Sequence, residues 1–224
     1  MKNLLPLTTL SILLTACSID IVSSVPTIED IPLHKQASLP GITCILQGTI
    51  PHISNLDSKQ VEVNINSKID AYIRTTELSN AACPKQLLDL TEDDATLNDT
   101  TTVDYAVGML ENDIFSVKLM ESQYFDGAAH PNNSVTTFTF SLIDGQPITL
   151  KMLFPDEQDF PTFLKQHIND ALAAEGIDET YPSDMTNETV KYYLTPDAVV
   201  LTDIFTIHAL QGFEVAIPVV LPST

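Results

Sequence analysis

Hydrophobic residues recur along this chain with two different periods. Between Ile114 and Met120, Phe115, Val117 and Leu119 alternate with their neighbours, and between Val135 and Leu142, Thr136, Phe138, Phe140 and Leu142 do the same. A period of two is that of a strand with one buried face. Val103, Tyr105, Val107 and Met109 make a third such run, and Glu111-Asn112-Asp113 is a hairpin turn joining it to the Ile114 run. Ile42 to Ile50 is aliphatic and β-branched enough for a first strand. Asp144-Gly145 carries the signal of a type I′ hairpin between Val135–Ile143 and a strand at Pro147–Leu150. The last strands are predicted at Val190–Leu194, at Ala198–Thr202 after a Thr195-Pro196-Asp197 turn, and at Phe213–Leu221. Pro218 puts that final strand at an edge or ends it.

Two stretches change to helical spacing. Val61, Ile65, Ile69, Tyr72 and Ile73 share one face of a helix opening at Asp57, with Gln60 completing a capping box and Leu56 and Val61 forming a hydrophobic staple. Phe160, Phe163, Leu164, Ile168 and Leu172 share one face of a second helix, Asp159 to Glu175, stopped by Gly176. Each stripe reads as the cover of a sheet. The result is an α+β chain of antiparallel sheets, each covered by an amphipathic helix. It divides into an N-lobe at residues 41–110 and a C-lobe at 111–221. Residues 17–40, which lack periodicity and carry Pro26, Pro32 and Pro40, read as a tether.

Phe125-Asp126-Gly127-Ala128-Ala129-His130-Pro131-Asn132 lies between two of the alternating runs. Its small residues and Gly127 permit a tight turn, and His130 before Pro131 is biased to extended backbone. Two roles are open. In one, Phe125, Asp126, Gly127, His130, Pro131 and Asn132 form a ligand-gripping loop. In the other, the simpler one, Asp126 and His130 bond nearby backbone and Phe125 fills the core.

This loop and the segment after it resemble a known family. Phe125, Gly127, Ala129, His130, Pro131 and Asn132, then Ile148-Thr149-Leu150 and Leu153-Phe154, resemble the DUF3298 domain of the PdaC/RsiV-like superfamily. That family has an aromatic-x-Gly-Gly-Ala-His-Pro-Asn loop and then an Ile-Thr-Leu-x-x-Leu-Phe segment. Ala128 stands where a second Gly is usual, and Phe125 where Tyr is usual. Tyr193-Leu194-Thr195-Pro196-Asp197 and Phe213 to Val219 continue the likeness, and Thr43 to Ile73 is similar to the companion DUF4163 region. The resemblance implies a two-lobed, PdaC/RsiV-like fold. It also implies protein recognition at the cell envelope, since the extracellular part of RsiV-type anti-sigma factors binds lysozyme.

The first sixteen residues have the form of a secretory signal: Lys2, then an apolar run from Leu4 to Leu14. Leu14-Thr15-Ala16-Cys17 matches a bacterial lipobox, so residues 1–16 are expected to be removed and Cys17 lipidated. Ser18 after it permits sorting to the outer membrane, with the domain on the periplasmic face. Removing Lys2 takes the formal charge from −20 to −21. Such a charge argues against nucleic acid and against anionic headgroups, leaving the lipid as the one membrane contact, and favours either a basic partner or simply solubility in an envelope compartment, the plainer explanation of most of it. Cys44 and Cys83 then remain as an even pair in an oxidising compartment. They are read as one disulfide that closes a loop of about 40 residues, worth roughly 3–4 kcal/mol.

Catalytic signatures are missing. There is no Gly-x-Ser-x-Gly elbow, no phosphate-cradling glycine loop and no HExxH, and the five His are scattered. Leu87 to Thr102, with Glu92-Asp93-Asp94 and Asp99, lacks the ligand spacing and central Gly of a calcium loop. No cofactor, metal or catalytic residue is predicted. The expected function is a lipid-anchored binding module for a basic envelope protein such as a lysozyme-like muramidase. The alternatives are a peptidoglycan-binding accessory module, weakened by the absence of Trp, and a peptidoglycan or carbohydrate deacetylase or esterase.

Overall fold

The computed structural model describes residues 25–81, 97–178, 190–205 and 210–219. Its elements are β1 (Thr27–Leu39), β2 (Ile42–Ser54), α1 (Lys59–Ala81), β3 (Leu97–Glu111), β4 (Ile114–Phe125), β5 (Asn132–Ser141), α2 (Leu150–Leu153), α3 (Phe160–Ala174), β6 (Lys191–Leu194), β7 (Ala198–Thr202) and β8 (Val215–Pro218). They form a five-stranded sheet, β1 to β5 in chain order, and a three-stranded sheet, β6-β7-β8. The protein is thus a mixed α/β chain of two sheets and few helices.

The five-stranded sheet departs from the expected antiparallel pattern at one ladder. β2 and β3 run parallel, from Ile42 against Leu97 to Gly48 against Val103. Parallel neighbours need a crossover, and α1 lies in that connection. The helix puts Val61, Ile65, Ile69 and Ile73 against Leu46 and Ile50 of β2, Val103 of β3, Phe115, Val117 and Leu119 of β4, and Phe140 of β5. At its start the Ser58 hydroxyl accepts the Val61 N–H at 3.4 Å, and the Gln60 amide, expected to complete a capping box, donates to Asn64 at 2.9 Å.

Residues 27–39, expected to belong to the tether, are a strand. β1 pairs with β2 at every position from Thr27↔Ser54 to Leu39↔Ile42. Its sequence hid this because only Leu33 is buried along it, so no alternation develops. Pro32 is tolerated because β1 is the edge of its sheet and the missing N–H costs no inner ladder bond.

The turns sort by backbone sign. Asn112 and Asp113 both have positive φ (51° and 56°), the type I′ geometry, and close the two-residue β3–β4 hairpin. Asp144-Gly145 does not make the expected type I′ turn, since only Gly145 has positive φ there (70°). The chain instead closes a longer loop, with the Ser141 N–H donating to Gln146 O at 3.0 Å and the Gly145 N–H to Ser141 O at 2.9 Å. The strand expected at Pro147–Leu150 shrinks to a bridge between Phe140 and Pro147, and the chain then coils into the single turn of α2. That turn carries Leu150 into the second core.

That second core lies under α3. Phe160, Leu164, Ile168 and Leu172 pack with Val199, Leu201, Val215 and Ile217 of the small sheet. Asp159 caps α3, accepting the Thr162 N–H at 3.4 Å. At the other end Gly176, at φ 70°, donates to Ala173 O and Ile177 to Leu172 O, the paired bonds of a Schellman stop.

The two sheets meet where β6 lies across β3, β4 and β5. β3 shifts register between Val107 and Met109, and Met109 turns into the second core. At Gly108 between them, an added Cβ would sit 2.2 Å from Leu194 O and 2.6 Å from the Tyr193 ring. Beside it the buried Ser116 hydroxyl accepts the Leu194 N–H at 2.8 Å and bonds the Thr139 hydroxyl at 2.9 Å. The boundary drawn at residue 110 falls in the β3–β4 hairpin, so the five-stranded sheet takes strands from both sides of it.

Ser116→Ala is expected to strand the Leu194 N–H and cost about 1–3 kcal/mol in denaturant titrations. Gly108→Ala forces the sheets apart and is expected to cost at least as much, about 1–3 kcal/mol or more. A Gly108→Ala protein with unchanged midpoint would show that the close approach is not needed.

Candidate functional site

The His130 loop closes the end of the β4–β5 pair, and much of its framework comes from Phe125 and Asp126. Phe125 packs on buried Ile42 and Cys44 at the start of β2. The Asp126 carboxylate accepts the Asn98 backbone N–H at 2.8 Å and the Asn98 side-chain amide at 2.9 Å, while the Asp126 N–H returns a bond to Asn98 O at 2.9 Å. Ala128 N–H donates to Phe125 O, and Gly127 sits at φ 88°. A side chain at Gly127 would meet no neighbour within 4 Å, so the constraint there is backbone sign, not space. His130 is exposed, with Nδ1 3.1 Å from the adjacent Pro131 carbonyl oxygen. Asn132 opens β5 and is exposed, and Pro131 is half-buried. Of the pair expected to fix the turn, Asp126 does so through Asn98, and His130 reaches the backbone at Pro131 O.

One position on from the loop, Asn133 begins the rim of a cleft of about 510 Å³. Its floor is the outer face of the large sheet, opposite α1. Pairing aligns Thr102, Ser122 and Asn133 in one row across β3, β4 and β5, and Asp104, Met120 and Val135 in the next. Thr202, Asp203, Gln211, Gly212 and Glu214 of the small sheet and its loop make the facing wall. Sequence reasoning did not find this site. Its floor comes from the outward residues of strands that were identified by their inward ones.

Charge on the cleft is mixed but mainly negative. Lys118 is half swallowed at its base, its ammonium 2.8 Å from a Glu214 oxygen and 4.8 Å from the Tyr193 ring centroid. The Tyr193 hydroxyl donates to the other Glu214 oxygen at 3.0 Å. Burial alone would raise the Glu214 pKa, but the bonds from Lys118 and Tyr193 outweigh it and hold the carboxyl low. Asp203 pairs with Lys191 at 2.5 Å. Asp104 accepts the neighbouring Tyr105 N–H at 2.8 Å. The Glu121 carboxylate points the other way, accepting the Tyr72 hydroxyl and, at 3.1 Å, the Thr76 hydroxyl of α1.

Other expected features distribute unevenly. Asp99, from the acidic stretch that lacked calcium-loop spacing, is buried in β3, and the Gln123 amide donates to both its oxygens at 3.0 and 2.9 Å. Burial raises its pKa against the pull of Gln123. Glu92, Asp93 and Asp94 lie outside the described residues, as do Cys17 and Cys83. Among the described residues, no three His, Cys, Asp or Glu side chains gather as a metal site, and no helix is long and apolar enough to cross a membrane.

No family model matches the chain, and no curated protein matches it. Solved structures do. A DUF3298-family protein from Bacteroides fragilis superposes with a TM-score of 0.63 at 14% identity, covering 88% of this chain and 91% of that one. A DUF3298-family protein from Pseudomonas aeruginosa gives a TM-score of 0.57 at 13% identity, over 88% and 92% of the two chains. At these identities the likeness is one of fold. The chain is built as DUF3298-family proteins are, over nearly its whole length.

Asp126→Ala is expected to lower stability by about 1–2 kcal/mol, because it leaves the Asn98 N–H without its acceptor. The exposed His130→Ala is expected to cost less than Asp126→Ala in the same titration. The reverse order would make His130 the stronger of the two framework contacts. Tyr72 offers a pH test. Burial, helped by the Glu121 carboxylate, pushes its pKa up to about 12 from 10.0. The neutral phenol is thus favoured by folding, so its contribution is intact below pH 10 and is lost as pH rises from 10 towards 12. Tyr72→Phe is expected to flatten that alkaline limb of the stability curve.

Proposed function

We propose that this chain is a lipid-anchored binding module of the cell envelope, two-lobed in the PdaC/RsiV-like manner, that recognises a basic protein such as a lysozyme-like muramidase. The observation that carries the reading is the cleft beside the His130 loop, whose lining holds Asp104, Asp203 and Glu214 against the cation Lys118. The formal charge of −20 extends that field over the whole chain and would steer a basic partner towards it. Met120 and Val135 on the floor give the aliphatic stem of a lysine or arginine an apolar surface to lie on. In this reading Cys17 carries the lipid, the module faces the periplasm from the outer membrane, and the DUF4163-like part supplies β2 and α1.

A second reading rests on a different observation. Thr102, Ser122 and Asn133 present hydroxyl and amide groups in a row, and Tyr124 beyond them on β4 is 42% exposed. Such a shelf suits a glycan strand, which is the peptidoglycan-binding alternative.

Calorimetry with a lysozyme-type muramidase, set beside pull-down with purified sacculi, separates them. The first reading expects binding that weakens steadily as ionic strength rises, and roughly tenfold loss on Asp104→Lys, since about 1.4 kcal/mol is tenfold in affinity. Absence of binding at low ionic strength, with retention on sacculi, would select the glycan.

The proposed Cys44–Cys83 disulfide has geometric support from the helix. The Lys35–Glu77 ion pair, at 3.7 Å, holds the C-terminal part of α1 beside Leu46, the partner of Lys35. Cys44 lies two residues beyond Leu46 in the direction α1 runs, and Cys83 comes two residues after the helix end at Ala81. Peptide mapping without reductant is expected to join Cys44 to Cys83. Alkylation of both in the native protein would exclude the bond.

A further inference from the structure

Strand polarity fixes where the site stands relative to the anchor. Thr27, at the start of β1, pairs with Ser54, and Leu39, at its end, pairs with Ile42. Ile42 in turn pairs with Leu97, next to Asn98, which holds Asp126. The chain therefore enters the domain at one end of the sheet, and the His130 loop closes the other. β1 has 13 residues and spans about 43 Å at about 3.3 Å per residue.

Only residues 18–26 separate Cys17 from β1. Ten Cα steps reach at most about 35 Å however those residues are arranged, at roughly 3.3–3.6 Å each. The reach is shorter than the sheet. We propose, resting on the lipid-anchor reading, that the domain is held with its Thr27 end towards the bilayer. The His130 loop and the cleft rim beside it are then presented outwards, to a soluble basic partner arriving from the side away from the membrane.

Inverting the domain would require the anchor to span the full length of the sheet, which it cannot do. Lying flat brings a strongly acidic surface against anionic headgroups, whose potential repels it. Pairing of β1 creates this constraint. With residues 18–40 unpaired, the reach would be about 80 Å at the same step, enough for any orientation.

The test uses the full lipoprotein reconstituted in vesicles of phosphatidylethanolamine and phosphatidylglycerol. A donor dye is placed at Asn132→Cys, at the loop end, or at Glu111→Cys, in the hairpin at the Thr27 end, with an acceptor on the lipid headgroups. The unsubstituted protein sets the background. Energy transfer is expected to be several-fold stronger from position 111 than from position 132. Inserting twenty Gly/Ser residues between Ser18 and Val25 is expected to abolish most of that difference. Equal transfer in the parent tether, or a difference that survives the insertion, overturns the orientation. Loss of vesicle binding on Cys17→Ala supports the anchor. If the parent never associates, or Cys17→Ala associates equally, the anchor itself fails, a result distinct from a wrong orientation.

Discussion

The contact on which most of this structure depends is the one between Leu194 and the bulged edge of β3. Here the backbones of the two sheets come close together, and Gly108 is the residue that leaves room for it. A buried approach also leaves peptide groups to satisfy, and the Ser116 hydroxyl takes the Leu194 N–H. Once this joint is closed, Met109 enters the second core, β6 lies over the lower half of the outer sheet face, and the upper half stays open. The cleft is what the joint leaves uncovered. Its wall is held by Lys118, which reaches from β4 to Glu214 and lies over Tyr193.

The crossover through α1 has consequences of the same kind. A parallel β2–β3 ladder puts the start of both strands at one end, where Phe125 and Asp126 dock on them. The loop is tied at its base through Asp126, and His130 is exposed at its tip. Tyr72 and Glu121 extend the link from α1 through β4, joining the helix side of the sheet to the strand whose other face floors the cleft.

Legibility tracked the physics of each signal. Strands β3 and β4 and helix α3 announced themselves because each has one well-buried face, which writes a period into the sequence, whereas β7, buried from Val199 to Thr202, was readable as a short apolar run after a turn. The α3 stop at Gly176 was readable for a similar reason, since the local geometry needs positive φ. β1 was not readable. An edge strand with one buried residue has no period, and its partner is chosen by a turn at Gly41 and by the exposed edge of β2. The hairpin at Glu111-Asn112-Asp113 was readable, but the type I′ geometry expected at Asp144-Gly145 falls at Asn112-Asp113 instead. Asn112-Asp113 and Asp144-Gly145 are both acceptable type I′ pairs, and strand register, not dipeptide chemistry, decided between them.

What the sequence by itself determined is the set of elements with a buried face, the loop between β4 and β5, and the acidic charge; each is a local or additive property. What only the tertiary structure decided is strand order, the parallel ladder, the Gly108 joint and the cleft. Those depend on which faces meet, and Gly108 reads as an isolated strand glycine until Leu194 is placed against it. The cleft residues Thr102, Ser122 and Asn133 are polar positions that any solvated strand face would carry. They become a site because the small sheet stops short of them.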